Sequence, residues 1–234
     1  DFSREFSENK LNELQVCFSY TSEDLNILIA DMANDASETI YSMGDDTPIA
    51  LLSKKPQPLF NYFRQLFAQV SNPPIDAIRE KNMTSINTII SNKKKFFKDF
   101  DSENKLLKVL NPILTTSNFT KIVNLDLPGL KSKFIDVTFD NRKEIGSLED
   151  RLEEIFKEIS LSVEDGYNIL ILSDQYIGKQ NVPIPSLLLV SAVHQYLIKV
   201  NQRSKVSLVL DSGEPRQVHH IATLFGYGVD LIYP

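Results

Sequence analysis

Three carboxylates stand where an α/β protein keeps its reactive groups. Asp174 follows the apolar run Tyr167-Asn168-Ile169-Leu170-Ile171-Leu172, Asp211 follows Lys205 to Leu210, and Glu214 comes just behind Asp211. In α/β folds, ligands and catalytic side chains gather at the C-terminal ends of parallel strands. Carboxylates there could hold a divalent ion or share acid–base work. An independent metal-dependent α/β enzyme built on Asp174, Asp211 and Glu214 is therefore the alternative functional reading. The competing role is structural: short polar residues that open a loop into a helix accept orphan backbone N–H groups. No positioned nucleophile or cation accompanies the three carboxylates.

The remaining reactive side chains are few. His219 and His220 are adjacent on a helical stretch, so their side chains diverge by about 100° and do not chelate one ion together. His194 is the third histidine, and a zinc site would need a further ligand on the right face. Cys17 is the single cysteine, so no intrachain disulfide and no thiolate metal cluster forms, and a buried structural thiol is expected. No G-x-G-x-x-G, GK[ST] or Gly-x-Ser-x-Gly pattern occurs.

The elements that would position these groups differ between the two halves. Phe134 to Phe139 reads as a strand, and Ser147 to Glu164 as an amphipathic helix with Ser147 as N-cap and Gly166 as C-cap. Tyr167 to Leu172 and Lys205 to Leu210 read as strands covered on both faces. Helices are expected over Pro185 to Val200 and Glu214 to Phe225, and a last strand over Val229 to Tyr233. This alternation means βα units and a parallel sheet, wound as a partial barrel or an open sheet. The first half is mainly helical. Helices are expected over Glu5 to Val16, over Ser22 to Met32 with capping chemistry in Thr21-Ser22-Glu23-Asp24, and over Leu59 to Val70, nearly enclosed. Residues 42–48 form a turn-rich loop. Residues 1–90 are the helical part, 91–112 a Lys/Asn-rich connection and 113–234 the βα part.

At 234 residues the chain can bury a substantial core, and 42% apolar with 24% charged residues is an ordinary globular composition. A net charge of −6 gives no reason to expect nucleic acid or an anionic membrane as partner. Lys93-Lys94-Lys95 is the one basic run and reads as a solvated loop. No stretch approaches the length of a membrane span, and no signal peptide is present. The chain opens at Asp1 and closes at Pro234 as a piece of a longer protein would. A reducing compartment fits the single thiol.

Several stretches, taken together and in order, resemble the central domain of glutamate synthase. They are Ser42 to Pro48 (SMGDDTP), Tyr62 to Glu80 (YFRQLFAQVSNPPIDAIRE), Asp165 to Asp174, Val182 to Pro185, Val190 to His194, and Val206 to Gly228 (VSLVLDSGEPRQVHHIATLFGYG). The likeness runs from about Tyr20 to the C-terminus and weakens over 86–108. It implies an α/β domain with a helical N-terminal portion and a partial, cofactor-free barrel-like sheet. Such a domain links a glutaminase domain to a synthase domain carrying FMN and an iron–sulfur cluster. The parent would make glutamate from glutamine and 2-oxoglutarate, with ferredoxin or a FAD/NAD(P)H system as electron source. The isolated chain would be inactive. Its location would be the cytoplasm, or the plastid of a photosynthetic eukaryote.

The resemblance also implies a site. In the family an ammonia tunnel is bordered by the methionine of the SMG(D/N)DTP loop and by a Thr-Asn pair before Pro-(Pro/Leu)-Ile-Asp, which here map to Met43, Ser71 and Asn72. Ammonia is small and neutral, so its conduit needs few charges and a stiff wall. Pro73 and Pro74 fix φ and remove two N–H donors behind Ser71-Asn72. Ser71 departs from the family's threonine by one methyl group. The structural alternative is that Asn72 N-caps a helix with Pro73 at its first position. Under this resemblance Asp174 and Asp211 become capping or inter-domain residues.

Overall fold

The computed structural model describes residues 6–37, 50, 52–54, 57–63, 74–90, 106–142 and 147–234. They divide into two units by packing: residues 19–86, and a larger unit of 1–18 with 87–234. The first helix, α1 (Glu8–Cys17), belongs to the larger unit. It starts later than its apolar pattern because the Ser7 hydroxyl accepts from Lys10 N, a side-chain cap that fixes the first turn.

In the smaller unit, Thr21 and Asp24 make the expected reciprocal cap: Thr21 N donates to the Asp24 carboxylate and Asp24 N to the Thr21 hydroxyl. The helix that follows is wide-wound over Asp24–Ile29 and regular over α2 (Ala30–Asp35), ending at Ala36 with φ of 51°. The helix expected from Leu59 is corrected at its start. Leu59–Tyr62 is a single tight turn, and Phe63 is extended. Phe60 is fully buried, but Tyr62 and Phe63 are exposed, so this stretch is not enclosed. Residues 64–70 lie outside the described residues. The helix α3 (Ala77–Met83) is capped by Asp76, whose carboxylate accepts from Ile78 N and Arg79 N. Asn72 and Pro73, the alternative start, lie outside the described residues. A carboxylate directly before Ala77 satisfies the orphan donors, and Pro74 is not helical.

The larger unit is built on a five-stranded sheet. The hairpin β1 (Thr88–Ile90) and β2 (Leu107–Val109) pairs antiparallel and leads to α4 (Thr116–Val123), none of which the polar composition of this region announces. The sheet then runs β3 (Asp126–Leu127), β4 (Leu130–Asp136), β6 (Ile169–Ser173), β8 (Ser207–Asp211) and β9 (Leu231–Tyr233), in that spatial order. The last four are parallel, and β3 returns antiparallel on the edge. A small ladder of β5 (Thr138–Asp140) with β7 (Asn181–Pro183) stands beside the sheet. The strand expected over 134–139 therefore breaks at Val137. There the Asp136 carboxylate accepts from Thr138 N and Thr138 Oγ1, while Val137 N donates to Ser173 O.

Crossovers α5 (Ser147–Glu164), α6 (Ser186–Lys199) and α7 (Val218–Gly226) join consecutive parallel strands. Because the parallel strands follow chain order without reversal, the sheet is an arc of the barrel kind rather than a doubly wound sheet. Gly166 ends α5 at φ of 86°, as a C-cap glycine does. The helix expected from Glu214 starts at Val218 instead. The residue before Pro215 is disfavoured in helix, and Glu214 is engaged elsewhere. Alternate residues face opposite ways. Ile169, Ile171, Val209 and Leu231 form one core with Phe119 and Ile122 of α4 and Ile90 of β1. Leu170, Leu172, Leu208 and Leu210 face the crossovers, whose Ile155, Ile159, Leu189 and Val193 are buried. Phe156 of α5 stacks on Tyr196 of α6 at 4.4 Å.

The N-terminal ends of β8 and β9 are tied by one arginine. Arg203 donates to His194 Nδ1 at 3.0 Å, to Val206 O at 2.8 Å, to Gly228 O at 2.7 Å and to the Asp230 carboxylate at 3.1 Å. Asp230 in turn accepts from Leu208 N. Burial, then the Arg203 charge, push the His194 pKa below its ordinary value, against the opposing pull of Asp230. The folded chain thus holds His194 neutral with Nδ1 as acceptor. Its contribution is present above the ordinary histidine pKa of about 6.5 and is lost as pH falls through the lower folded value. Urea melts from neutral to mildly acidic pH should show this loss, and His194→Gln should flatten it; parallel pH profiles for the two chains would contradict the assignment.

Candidate functional site

The four parallel strands end in one row. Register places Asp136 beside Ser173, Ser173 beside Asp211 and Asp211 beside Tyr233. All four lie on the face of Ile171 and Val209, two residues beyond that apolar layer or its equivalent. This is the position at which a βα sheet presents its chemistry. Ser173 and Asp211 are 0% and 1% exposed. The Ser173 hydroxyl donates to the Asp211 carboxylate and accepts from Gln175 N. Tyr233 Oη lies 3.1 Å from Thr116 Oγ1, and its ring stacks on Phe119 at 4.2 Å. The row is therefore bonded to its own neighbours along its length.

The structure places the three predicted carboxylates as follows. Asp211 is in the row. Asp174 is buried just past it, its N–H donating to Asp211 O. Glu214 turns away: its carboxylate accepts from Ser186 N and Ser186 Oγ, both at 2.6 Å, and so caps α6. Among the described residues, no three His, Cys, Asp or Glu side chains come together as a metal site. His220 is buried, with Nδ1 facing Arg216 N at 3.4 Å, and His219 is exposed, so the adjacent pair does diverge.

Over the strand ends lies α1. The Phe18 ring fills the space beside Gly213, where an added Cβ would stand 2.7 Å from Phe18 Cε2. Lys10 Nζ donates to Ile177 O at 2.9 Å. The Lys179–Glu13 pair at 3.9 Å is exposed and adds little. Cys17 is half-buried; burial, then the Asp174 charge, raise its thiol pKa, against Lys10. It is held as the protonated, poorly nucleophilic thiol. A cleft of 680 Å³ opens between α1 and the Ile177–Val182 stretch, lined in part by Val16, Cys17 and Val182.

Met43, Ser71 and Asn72 lie outside the described residues. Of the strand-end groups, sequence reasoning missed Asp136, Ser173 and Tyr233, the capping role of Glu214 and the seating of α1. Period-two spacing signalled only two members of the row: Ile169-Ile171-Ser173 and Ser207-Val209-Asp211 each carry a polar residue at the last inward position.

Comparison with known proteins completes the description. A family model described as the glutamate synthase central domain matches residues 13–234. The chain is 40% identical over 225 residues to "Glutamate synthase [NADH]" of Schizosaccharomyces pombe, covering 95% of this chain and 11% of that protein. It is 41% identical over 220 residues to "Glutamate synthase [NADPH] large chain" of Bacillus subtilis, covering 94% of this chain and 14% of that one. It is 40% identical over 225 residues to "Ferredoxin-dependent glutamate synthase" of Cyanidium caldarium, covering 94% and 14%. The chain thus spans a small part of the length of each.

Proposed function

The chain belongs to the glutamate synthase central domain family, and from that membership we propose that it is the linking wall of a larger synthase. It joins a glutaminase domain to a synthase domain holding FMN and an iron–sulfur cluster, and it borders the path by which ammonia passes between them. Met43, Ser71 and Asn72 line that path. Amide hydrolysis on one side releases ammonia, and the 2-oxoglutarate carbonyl on the other side accepts it before reduction. The chain's own task is to keep the ammonia unprotonated by keeping bulk water away. A neutral molecule needs no charged guide, only a stiff wall with occasional polar acceptors.

The family match over residues 13–234 carries this reading, and the strand-end face agrees with it. Where a βα sheet would cradle a cofactor phosphate against a glycine, Gly213 is covered by Phe18, and Ser173, Asp211 and Glu214 are bonded within the chain. Those residues do not fit a flavin, which is assigned to the neighbouring domain. Electron-donor choice is assigned elsewhere too, because the named NADH, NADPH and ferredoxin relatives are nearly equidistant, at 40%, 41% and 40% identity. Cytoplasm or plastid is the proposed location; among the described residues no helix is long and apolar enough to cross a membrane.

The test uses the full-length synthase with amide-labelled ¹⁵N-glutamine in excess unlabelled ammonium. An enclosed path delivers the label undiluted into product glutamate. Dilution to the isotope ratio of the bulk would overturn the path.

A further inference from the structure

We propose that the cleft between α1 and the Ile177–Val182 stretch is a binding site for a small α-amino dicarboxylate. Glutamate is the compound of that class which the proposed function supplies, so the choice of glutamate rests on that reading while the cleft itself does not. Helix and stretch belong to one unit, the larger one. The stretch follows β6 on the side where βα sheets take their ligands, and a volume of 680 Å³ is that of a small-molecule site. One wall is a single stripe of α1, since Asn9, Asn12, Glu13 and Val16 recur at helical spacing. The other wall is a fixed turn. Gly178 N donates to Asn181 O at 2.9 Å, and β7 behind it pairs with β5. Lys179 at the tip of that turn and Lys10 on α1 bring two ammonium groups to the cleft, and Glu13 brings one carboxylate. That set complements two carboxylates and one ammonium, charge for charge. Lys10 Nζ spends one donor on Ile177 O at 2.9 Å, which places the charge, and an ammonium has others to give. Lys179 meets Glu13 only at 3.9 Å, with both side chains exposed. A ligand entering between them replaces this loose pair with shorter charge-assisted bonds. Val16 and Val182 offer its methylene stem an apolar rest. Nothing lies within 4 Å of a Cβ built on Gly178, so the turn leaves the cleft open.

Cys17 also lines the cleft and serves as its reporter. The half-buried thiol is labelled slowly, and an occupant of the cleft shields it further. The experiment follows Cys17 labelling by peptide mapping in the full-length synthase. The titrants are L-glutamate, glutarate, which lacks the ammonium, and L-glutamine, which lacks the second carboxylate. Glutamate should slow labelling several-fold and saturably, and the other two should need several-fold higher concentrations for the same protection. Glu13→Gln should erase the advantage of glutamate over glutarate, and Lys179→Gln its advantage over glutamine. Both side chains are exposed, and the three titrations of the unsubstituted enzyme test the site without either variant. Labelling indifferent to glutamate, equal protection by all three compounds, or preferences that survive both substitutions would overturn the site. The readout is separate from ammonia transfer. Protection by glutamate alongside a ¹⁵N label diluted to the bulk ratio would leave the site standing and remove the path, and an undiluted label without protection would do the reverse.

Discussion

Gly228→Ala is expected to destabilise the chain by about 3–5 kcal/mol, the sum of a forbidden backbone region and a steric collision. Gly228 sits at φ of 105°, which L side chains rarely adopt. An added Cβ would lie 2.2 Å from His194 Nδ1 and 2.7 Å from His194 Cε1. The imidazole has nowhere cheap to go. Its Nδ1 accepts from Arg203, whose guanidinium also binds Gly228 O and Asp230, and Asp230 fixes Leu208 N at the start of β8. Moving His194 therefore takes one acceptor from the guanidinium that ties the ends of two strands and pairs with the buried Asp230. Gly166 is the control. It too has positive φ, 86°, but nothing lies within 4 Å of its added Cβ, so Gly166→Ala should cost only about 1–2 kcal/mol. Denaturant melts measure both. A Gly228→Ala chain no less stable than Gly166→Ala would contradict the role given to the Arg203 network.

The glycine and histidine of this network were both visible in the chain, but their meeting was not. Gly226-Tyr227-Gly228 reads as a helix stop and Val190 to His194 as an apolar helix. Only the tertiary fold, carrying the chain through β8 and α7, returns Gly228 to His194. What was legible depended on local physics. The buried strands at 169–173 and 207–211, the αL glycine after α5 and the Thr21–Asp24 cap each follow from adjacent residues. The hairpin of β1 and β2 did not, because Thr88 to Val109 carries polar composition that masks two short strands. The start of α7 was misplaced because Glu214 bonds to Ser186, 28 residues away in sequence, and no local propensity encodes that bond. The strand-end carboxylates were rightly located as a feature of the sheet. The row that Asp136, Ser173 and Tyr233 complete needs strand register, which period two alone does not supply.

Ser71→Phe carries the largest expected effect on function. On the proposed path, Ser71 contributes a hydroxymethyl group, and the prolines that follow at 73 and 74 have a fixed φ. On that proposal a phenyl ring in place of the hydroxymethyl group narrows the passage. Transfer of amide nitrogen should fall by roughly tenfold or more, equivalent to at least about 1.4 kcal/mol of added barrier. On the proposed reading the nucleophile belongs to another domain, so glutamine hydrolysis itself should continue, and ammonium-driven synthesis should hold because that nitrogen would enter from solvent. Ser71→Thr adds only the methyl group of the family's usual residue and should leave transfer unchanged. Asn72→Leu should act in the same direction as Ser71→Phe, since it removes a polar acceptor at nearly the same shape.

The most direct measurement is the ratio of glutamate formed to glutamine hydrolysed by the full-length synthase carrying Ser71→Phe, set against Ser71→Thr. A wall that guides ammonia predicts a ratio that collapses in the phenylalanine form and holds in the threonine form, with ammonium-driven synthesis equal in both. An undiminished ratio in the Ser71→Phe enzyme would mean that nitrogen travels by some route this chain does not border.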